Sequence, residues 1–394
     1  MLARYDVIIV GAGPGGALLA YLLARQGVTP LIIDQHRLPR YKACGGGLTR
    51  RSLEALPFSV DGVIEDYSYQ AVLTVGNRPV LVKRQDHPII GMVMRDKFDF
   101  FLVEQAEAAG AVLSDQTGFR SLSGPPGDLT IETSRGDYGA RIVVGADGVN
   151  GRVARALGLS VRRDLLIALE SEVYLDHPKR LDAFHGTAYF DYGVIPGGYG
   201  WIFPKKDHLS VGIGSMAWKK IRLKRHLNHY MELKGLTSRT RIKTMRGHAI
   251  PYRPDQRNNL ANSQGLLVGD AAGITDPVSG EGIYHALRQA HLASAIIIDA
   301  LESGNQRLEQ YNEIIKREFL GDLRFAQRLG TLLFKYPRFG GRVLEHHGHR
   351  LADHVLRITA GHESYRDLYR RMFRLTWLPA LLASKPGRDT KNAR

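Results

Sequence analysis

A single cysteine, Cys44, is present among 394 residues, so no intrachain disulfide can form and nothing argues for an oxidising compartment. No apolar stretch reaches the ~18 residues that a membrane span needs. The opening segment, MLARYDVIIVGAG, has a short apolar run that ends in glycines and lacks a small-residue cleavage site. It is expected to be a buried strand and not a signal peptide. Internal repeats and low-complexity linkers are missing, and no set of metal-ligating residues stands out. Acidic residues are few: 39 Asp and Glu against 54 Lys and Arg leave a net charge of +15 and a pI near 9.8. Such a balance favours anionic partners, whether nucleic acid, a phosphorylated substrate or an anionic membrane surface. No nucleic-acid module is visible, and none is expected as a partner. Cytoplasmic residence is expected, with contact at a membrane surface left open.

The composition that remains is that of a soluble globular chain: 44% hydrophobic and 24% charged, with a mean hydropathy of −0.20. The length allows a large core and two structural units. Residues 5–10 form a continuous β-branched run, which suits a strand buried on both faces of a parallel sheet. Residues 11–16 form a turn, 17–26 a helix, and 31–33 a second short strand ending at Asp34. Together they make a βαβ unit of the expected length. Strand-like alternation returns at 65–82 and 165–214, and helices are expected at 95–110, 218–233 and 281–301. The remainder, to Arg394, reads as helices.

Three glycine-and-acid motifs punctuate this pattern. The first is Gly11-x-Gly13-x-x-Gly16 with Asp34 downstream. Gly11 permits a tight turn, Gly13 lets the backbone approach a pyrophosphate, and Gly16 lets the helix pack close to the strand. Asp34 is placed to accept hydrogen bonds from ribose hydroxyls. The second is Gly145-Ala146-Asp147-Gly148 after a buried strand. The third is Gly269-Asp270 after the 266–268 strand, continuing as Pro277-x-x-Gly280-x-Gly282 into a helix. Each acid falls at the carboxyl end of a strand, where α/β sheets bind ligands.

Taken together the motifs resemble the flavoprotein superfamily of para-hydroxybenzoate hydroxylase. That resemblance implies FAD, with the late Gly-Asp motif on the ribitol and the Asp147-Gly148 motif bordering FAD and the NADPH path. The superfamily's middle motif usually carries a serine where Gly151 stands. Arg95, opening a helix, resembles the superfamily's flavin-contacting arginine. Only one GxGxxG is present, so FAD is the expected resident cofactor, with NADPH or another electron donor engaged transiently.

Two further segments, Lys42-Ala43-Cys44-Gly45-Gly46-Gly47 and Pro196-x-x-Tyr199-x-Trp201-x-Phe203-Pro204-Lys205, resemble the geranylgeranyl reductase family over roughly residues 1–300. In that family the aromatic segment lines the isoprenoid tunnel, and Cys44 and Gly45 would lie near the flavin. Tyr199, Trp201 and Phe203 alternate, so on a strand they share one face and suit an apolar wall. Arg40 and Lys42 beside Cys44 favour a reactive thiolate.

The expected fold class is α/β with an α+β insert. A discontinuous Rossmann-like FAD-binding domain (1–62, 92–160 and 256–302) accepts an inserted antiparallel-sheet substrate domain (63–91 and 161–255), and a helical region (303–394) follows. The expected function is FAD-dependent reduction of carbon–carbon double bonds in a prenyl chain of a lipid or diphosphate. Cys44 and Tyr199 are the candidate proton donors. The alternatives are a monooxygenase or halogenase on the same scaffold, or a non-catalytic flavin-bearing lipid binder. The halogenase reading expects a W-x-W-x-I-P motif, which Trp201-Ile202-Phe203-Pro204 lacks. Residues 351–394 hold nine Lys and Arg against four Asp and Glu. Arg366, Arg370, Arg371 and Arg374, followed by Leu375, Trp377, Leu378, Leu381 and Leu382, read as a peripheral membrane anchor.

Overall fold

The β-branched run near the N-terminus lies in strand Ala3–Val10, whose last four residues are buried. It pairs in parallel with Gly136–Gly145 on one side and Leu31–Ile33 on the other. The parallel order extends to Val112–Ser114 at one edge and Gly265–Leu267 towards the other. Continuous apolar runs suit this arrangement because both faces of each strand are covered. The computed structural model describes the backbone of residues 2–374 except 244, 253 and 306.

Helix Pro14–Ala24 packs against Arg95–Ala108 and Ile283–Ser303. It begins three residues before the expected 17–26 helix, with Pro14 in its first turn. Proline's fixed φ and missing N–H suit that position. The expected 218–233 helix is interrupted: a 3-10 turn spans Trp218–Lys220 and the α-helix runs Leu223–Leu233. Ile221 between them is extended, and the Trp218 indole N–H is held by the Leu165 carbonyl at 3.0 Å.

A second sheet has the order Thr240–Ile242, Leu165–Leu175, Leu209–Ser215, Gly198–Pro204, Thr187–Tyr192, Gln70–Val75, Arg78–Arg84, with Arg246–Pro251 also paired to Leu165–Leu175. It is antiparallel except where Thr187–Tyr192 runs parallel to Gln70–Val75. Those two strands come from separate stretches of chain, so no hairpin constrains their direction. A small antiparallel sheet of Gly47–Thr49, Ile90–Val93 and Ile64–Ser68 lies beside them in the chain path.

One face of the second sheet carries Ile202, Val211 and Ile213 against Leu227 and Tyr230 of the Leu223–Leu233 helix. The opposite face presents Trp201 and Phe203, with Ala71, Ile90 and Ala188. The strand period of two separates these sets. From Gln310 the chain is mainly helical through Tyr365–Arg374. Helix Pro337–Thr359 packs on strands Gln70–Val75 and Arg78–Arg84. It thereby closes a cavity between the two sheets.

Candidate functional site

The cavity has a volume of about 400 Å³ and runs from the glycine-rich turn at Gly13–Gly16 to the leucines of the Pro337–Thr359 helix. Its first end is built of backbone. Gly11 has φ +112°, and a Cβ there would meet the Ala146 carbonyl oxygen at 2.3 Å. A Cβ at Gly16 would stand 2.1 Å from the Gly11 oxygen and 3.2 Å from Ile9. Gly13 by contrast is open, its nearest neighbour being the Arg40 guanidinium at 4.0 Å. The Pro14–Ala24 helix N-terminus therefore presents uncovered backbone to the cavity, a cradle suited to an anionic dinucleotide.

The acids around this end differ in what they face. Asp34 accepts from the Ala12 amide at 3.0 Å and the His36 amide at 2.9 Å, with Arg40 Nε 3.5 Å away. Asp270 and Gly269 line the cavity, as do Gly280 and Gly282. Burial acts to raise the Asp270 carboxyl, but His248 at 3.5 Å and Lys42 at 3.9 Å overcome it and hold the group below the usual carboxylate range. Asp270 thus stays an anion with acceptor capacity. Arg95 also reaches the cavity wall, yet it is clamped by two hydrogen bonds to Asp99, at 2.7 and 2.9 Å.

In the middle motif the two residues part company. Gly148 lines the cavity with φ +76° and open space where a Cβ would be. Asp147 turns away and accepts from the amides of Arg152 at 2.6 Å and Val153 at 3.0 Å. Burial nonetheless raises its carboxyl, against the pull of those amides. A Cβ on Gly151 would fall 2.1 Å from the Asp147 Cγ. The Asp147 carboxylate thus occupies the space that a side chain at position 151 would fill.

The two segments that carried the finer resemblance meet each other. Cys44–Gly47 lies flat on the aromatic face, and a Cβ at Gly45 would clash with both Phe203 and Trp201, each at 2.9 Å. Lys205, fully buried, donates from Nζ to the carbonyls of Gly45 at 2.7 Å and Val93 at 3.0 Å. The lysine at the end of the aromatic segment therefore pins the glycine run. Tyr199, Trp201 and Phe203 all line the cavity, with Phe190 and Phe334 completing the aromatic wall. The Tyr199 hydroxyl donates to the Ser279 carbonyl at 2.6 Å, and burial pushes its acidity down, so its proton is committed to the backbone. Cys44 is half-buried, and its Sγ accepts from the Gly46 amide at 3.4 Å.

Sequence reasoning missed two contributions. Leu344, Leu351 and Val355 of the C-terminal helix close the apolar end. Their helical spacing was visible, but nothing local says which surface they cover. Glu170 also lines the cavity, from strand Leu165–Leu175, and its partner Glu172 follows two residues later. A signal existed: two acids at strand period in the apolar run LLIALESEVYL point to one face and demand a reason for burial. The proposed anchor at Leu375, Trp377, Leu378, Leu381 and Leu382 lies outside the described residues.

Comparison with known proteins agrees with this geometry. A family model described as an FAD binding domain matches residues 4–318. The geranylgeranyl diphosphate reductase of Rhodobacter capsulatus is 31% identical, over 76% of this chain and 77% of its own. The digeranylgeranylglycerophospholipid reductase of Thermoplasma acidophilum is 29% identical, over 81% of this chain and 85% of its own. Among solved structures, a geranylgeranyl bacteriochlorophyll reductase-like protein of Thermoplasma acidophilum superposes with a TM-score of 0.80 at 23% identity, covering 95% of this chain and all of the other. A flavin-dependent brominase shares the fold at a TM-score of 0.72 and 18% identity, covering 94% of this chain and 100% of the other.

Proposed function

The chain belongs to the FAD-binding domain family, with proteins named geranylgeranyl reductases among its relatives, and on that premise we propose that this FAD-dependent oxidoreductase reduces carbon–carbon double bonds in a prenyl chain. One observation carries the reading: a single cavity joins the open glycine turn to a long wall of aromatic and aliphatic side chains. A cofactor and an apolar chain can meet there without crossing water. The relatives named for geranylgeranyl diphosphate and for a digeranylgeranyl phospholipid support a prenyl substrate, as a diphosphate or a lipid.

In this reading residues 1–62, 92–160 and 256–302 hold FAD, residues 63–91 and 161–255 hold substrate, and the helical region 303–394 contributes the Pro337–Thr359 helix that closes the site. The turn made by Gly11, Gly13 and Gly16 would hold the pyrophosphate, with the helix N-terminus stabilising its charge. Asp34 takes a ribose hydroxyl with whatever acceptor capacity its amide bonds leave. Gly269, Asp270, Gly280 and Gly282 would border the ribitol and the flavin, and Gly148 would leave room beside them. Asp147 contributes by fixing that turn, and Arg95 by adding positive charge near Cys44 and Gly45. Bound FAD, once reduced by NADPH or another donor, supplies the hydride. Tyr199, Trp201 and Phe203 hold the chain and exclude water.

Among the described residues no helix is long and apolar enough to cross a membrane. A bilayer-embedded substrate would then be met at the surface, and the net charge of +15 favours an anionic one. The deciding experiment reduces the holoprotein without oxygen and presents geranylgeranyl diphosphate or a geranylgeranylated lipid. Product heavier by pairs of hydrogens, detected by mass spectrometry, supports the reading. Oxygenated or halogenated product on admitting air and halide would replace it with the monooxygenase or halogenase alternative.

A further inference from the structure

Hydride delivery to an unactivated double bond also needs a proton, and a buried acid cluster stands at the cavity wall. Glu170 and Glu172 sit on the same face of strand Leu165–Leu175, 2% and 3% exposed. Glu170 Oε1 accepts from the Cys44 amide at 2.6 Å and lies 3.0 Å from the Tyr41 hydroxyl. The same hydroxyl is 3.3 Å from Glu172 Oε1. One phenolic hydrogen cannot serve two carboxylates at once, so the bridge is satisfied when one carboxyl carries a proton of its own. Glu170 Oε2 is buried with no hydrogen-bond partner among the described residues. A carboxyl with an unused, buried oxygen beside an apolar cavity is placed to hold a transferable proton.

The cluster also reaches water. His208 Nε2 approaches Glu172 Oε2 at 3.0 Å, without the alignment of a straight hydrogen bond. His208 Nδ1 lies 2.6 Å from Asp207, whose side chain is 70% exposed. Tyr174 stacks on His208 and is itself covered by Arg241 and Lys243. The other charges facing Glu170 are Lys205, beneath Gly45, and Arg246, its cross-strand neighbour on the cavity wall.

We propose that Glu170 protonates the prenyl double bond, and that Tyr41, Glu172 and His208 return a proton to it from solvent. The proposal rests on the prenyl-reductase reading above. In the step, one C=C π bond breaks and two C–H bonds form. Hydride from the reduced flavin forms one of them, and the flavin is oxidised by two electrons. The π pair takes the Glu170 proton to form the other, leaving a carboxylate that recovers its proton through Tyr41. Burial, with the charge of Glu172, pushes the Glu170 carboxyl up to about 7, so it is protonated yet readily ionised near neutrality. Tyr199 and Cys44, the donors expected from sequence, are less suited: the first is bonded to Ser279, and the second faces Glu170 through its backbone.

Two measurements on the FAD-loaded protein test this. A pH series of infrared spectra should show a carboxyl C=O band titrating near neutrality, absent in Glu170→Gln. Anaerobic stopped flow should show reoxidation of the reduced flavin by geranylgeranyl diphosphate slowed about 100-fold or more in Glu170→Gln. Flavin reduction by the donor should be unchanged, and Glu170→Asp should recover part of the rate. If Glu170→Gln fails to load FAD, the wild-type rate serves instead: it should fall as the infrared band is lost with rising pH, and a rate flat across neutral pH overturns the proposal. So does a band that persists in Glu170→Gln, or a variant as fast as wild type. Wild type that is never reoxidised by any prenyl substrate would instead bring down the reductase reading, and this assignment with it.

Discussion

The two ends of the cavity are built by opposite means. The glycine end uses backbone: Gly11, Gly13 and Gly16 fall within six residues, and their effect comes from the lack of a side chain. The acid and apolar end uses side chains gathered from Tyr41, Glu170, Trp201, Phe334 and Leu351, segments far apart in the chain. A backbone site tolerates almost no substitution but is written locally. A side-chain site tolerates more and is visible only once the sheets and the C-terminal helices have come together.

The strongest way to break this comparison is Gly16→Ala. A methyl group 2.1 Å from the Gly11 oxygen must move backbone, so the change should cost about 3 kcal/mol or more and abolish FAD retention. Denaturant unfolding and the flavin spectrum check it, and a stable yellow variant would mean that the turn is softer than described. At the acid end the expected effect is a pH dependence. The folded-state value of Glu170 is raised above the ordinary 4.5 to about 7. Its contribution to stability is therefore full below the ordinary value and is lost as pH rises through about 7. That contribution is at most ~3 kcal/mol. Glu170→Gln should flatten that slope in unfolding experiments run across this range.

Asp34→Ala combined with Asp270→Ala should weaken FAD binding by roughly 1–3 kcal/mol for each group left unpaired, read by cofactor titration. Full retention of FAD would show that backbone alone holds it. Trp201→Ala should slow reoxidation by a long prenyl substrate about tenfold, ~1.4 kcal/mol, with flavin reduction unaffected. Equal losses in both half-reactions would make Trp201 a packing residue. The smallest effect is expected from removing residues 375–394. Tyr365 is buried and hydrogen-bonded to Asp276, so the Tyr365–Arg374 helix should be kept. Binding to anionic vesicles should weaken, most at low salt, while the FAD spectrum is preserved. Unchanged co-sedimentation would remove the anchor.

The parallel sheet was legible because a buried β-branched run and a GxGxxG impose their geometry on neighbours in sequence. Asp270 was legible for the same reason, sitting at a strand end beside its glycines. Asp147 was read from its motif, but the direction of its carboxylate depends on Gly151 four residues on, a steric relation that spacing does not express. The one parallel pairing in the second sheet, between Thr187–Tyr192 and Gln70–Val75, depends on how distant segments meet. Glu170 was passed over because Glu172 stands two residues on, and a pair of acids at strand spacing fits a solvated face as readily as a buried one. Only the fold brings Tyr41 and Lys205 around it, and His208 against Glu172.

The central claim is that prenyl double bonds are reduced where the two ends meet. Its most direct test is a single anaerobic turnover of the fully reduced holoprotein with geranylgeranyl diphosphate, the flavin spectrum and product mass followed together. Reoxidation of one flavin for each pair of hydrogens gained by the substrate is the expected result. Flavin that stays reduced while the substrate mass stays unchanged, for this and for geranylgeranylated lipid, would contradict the account.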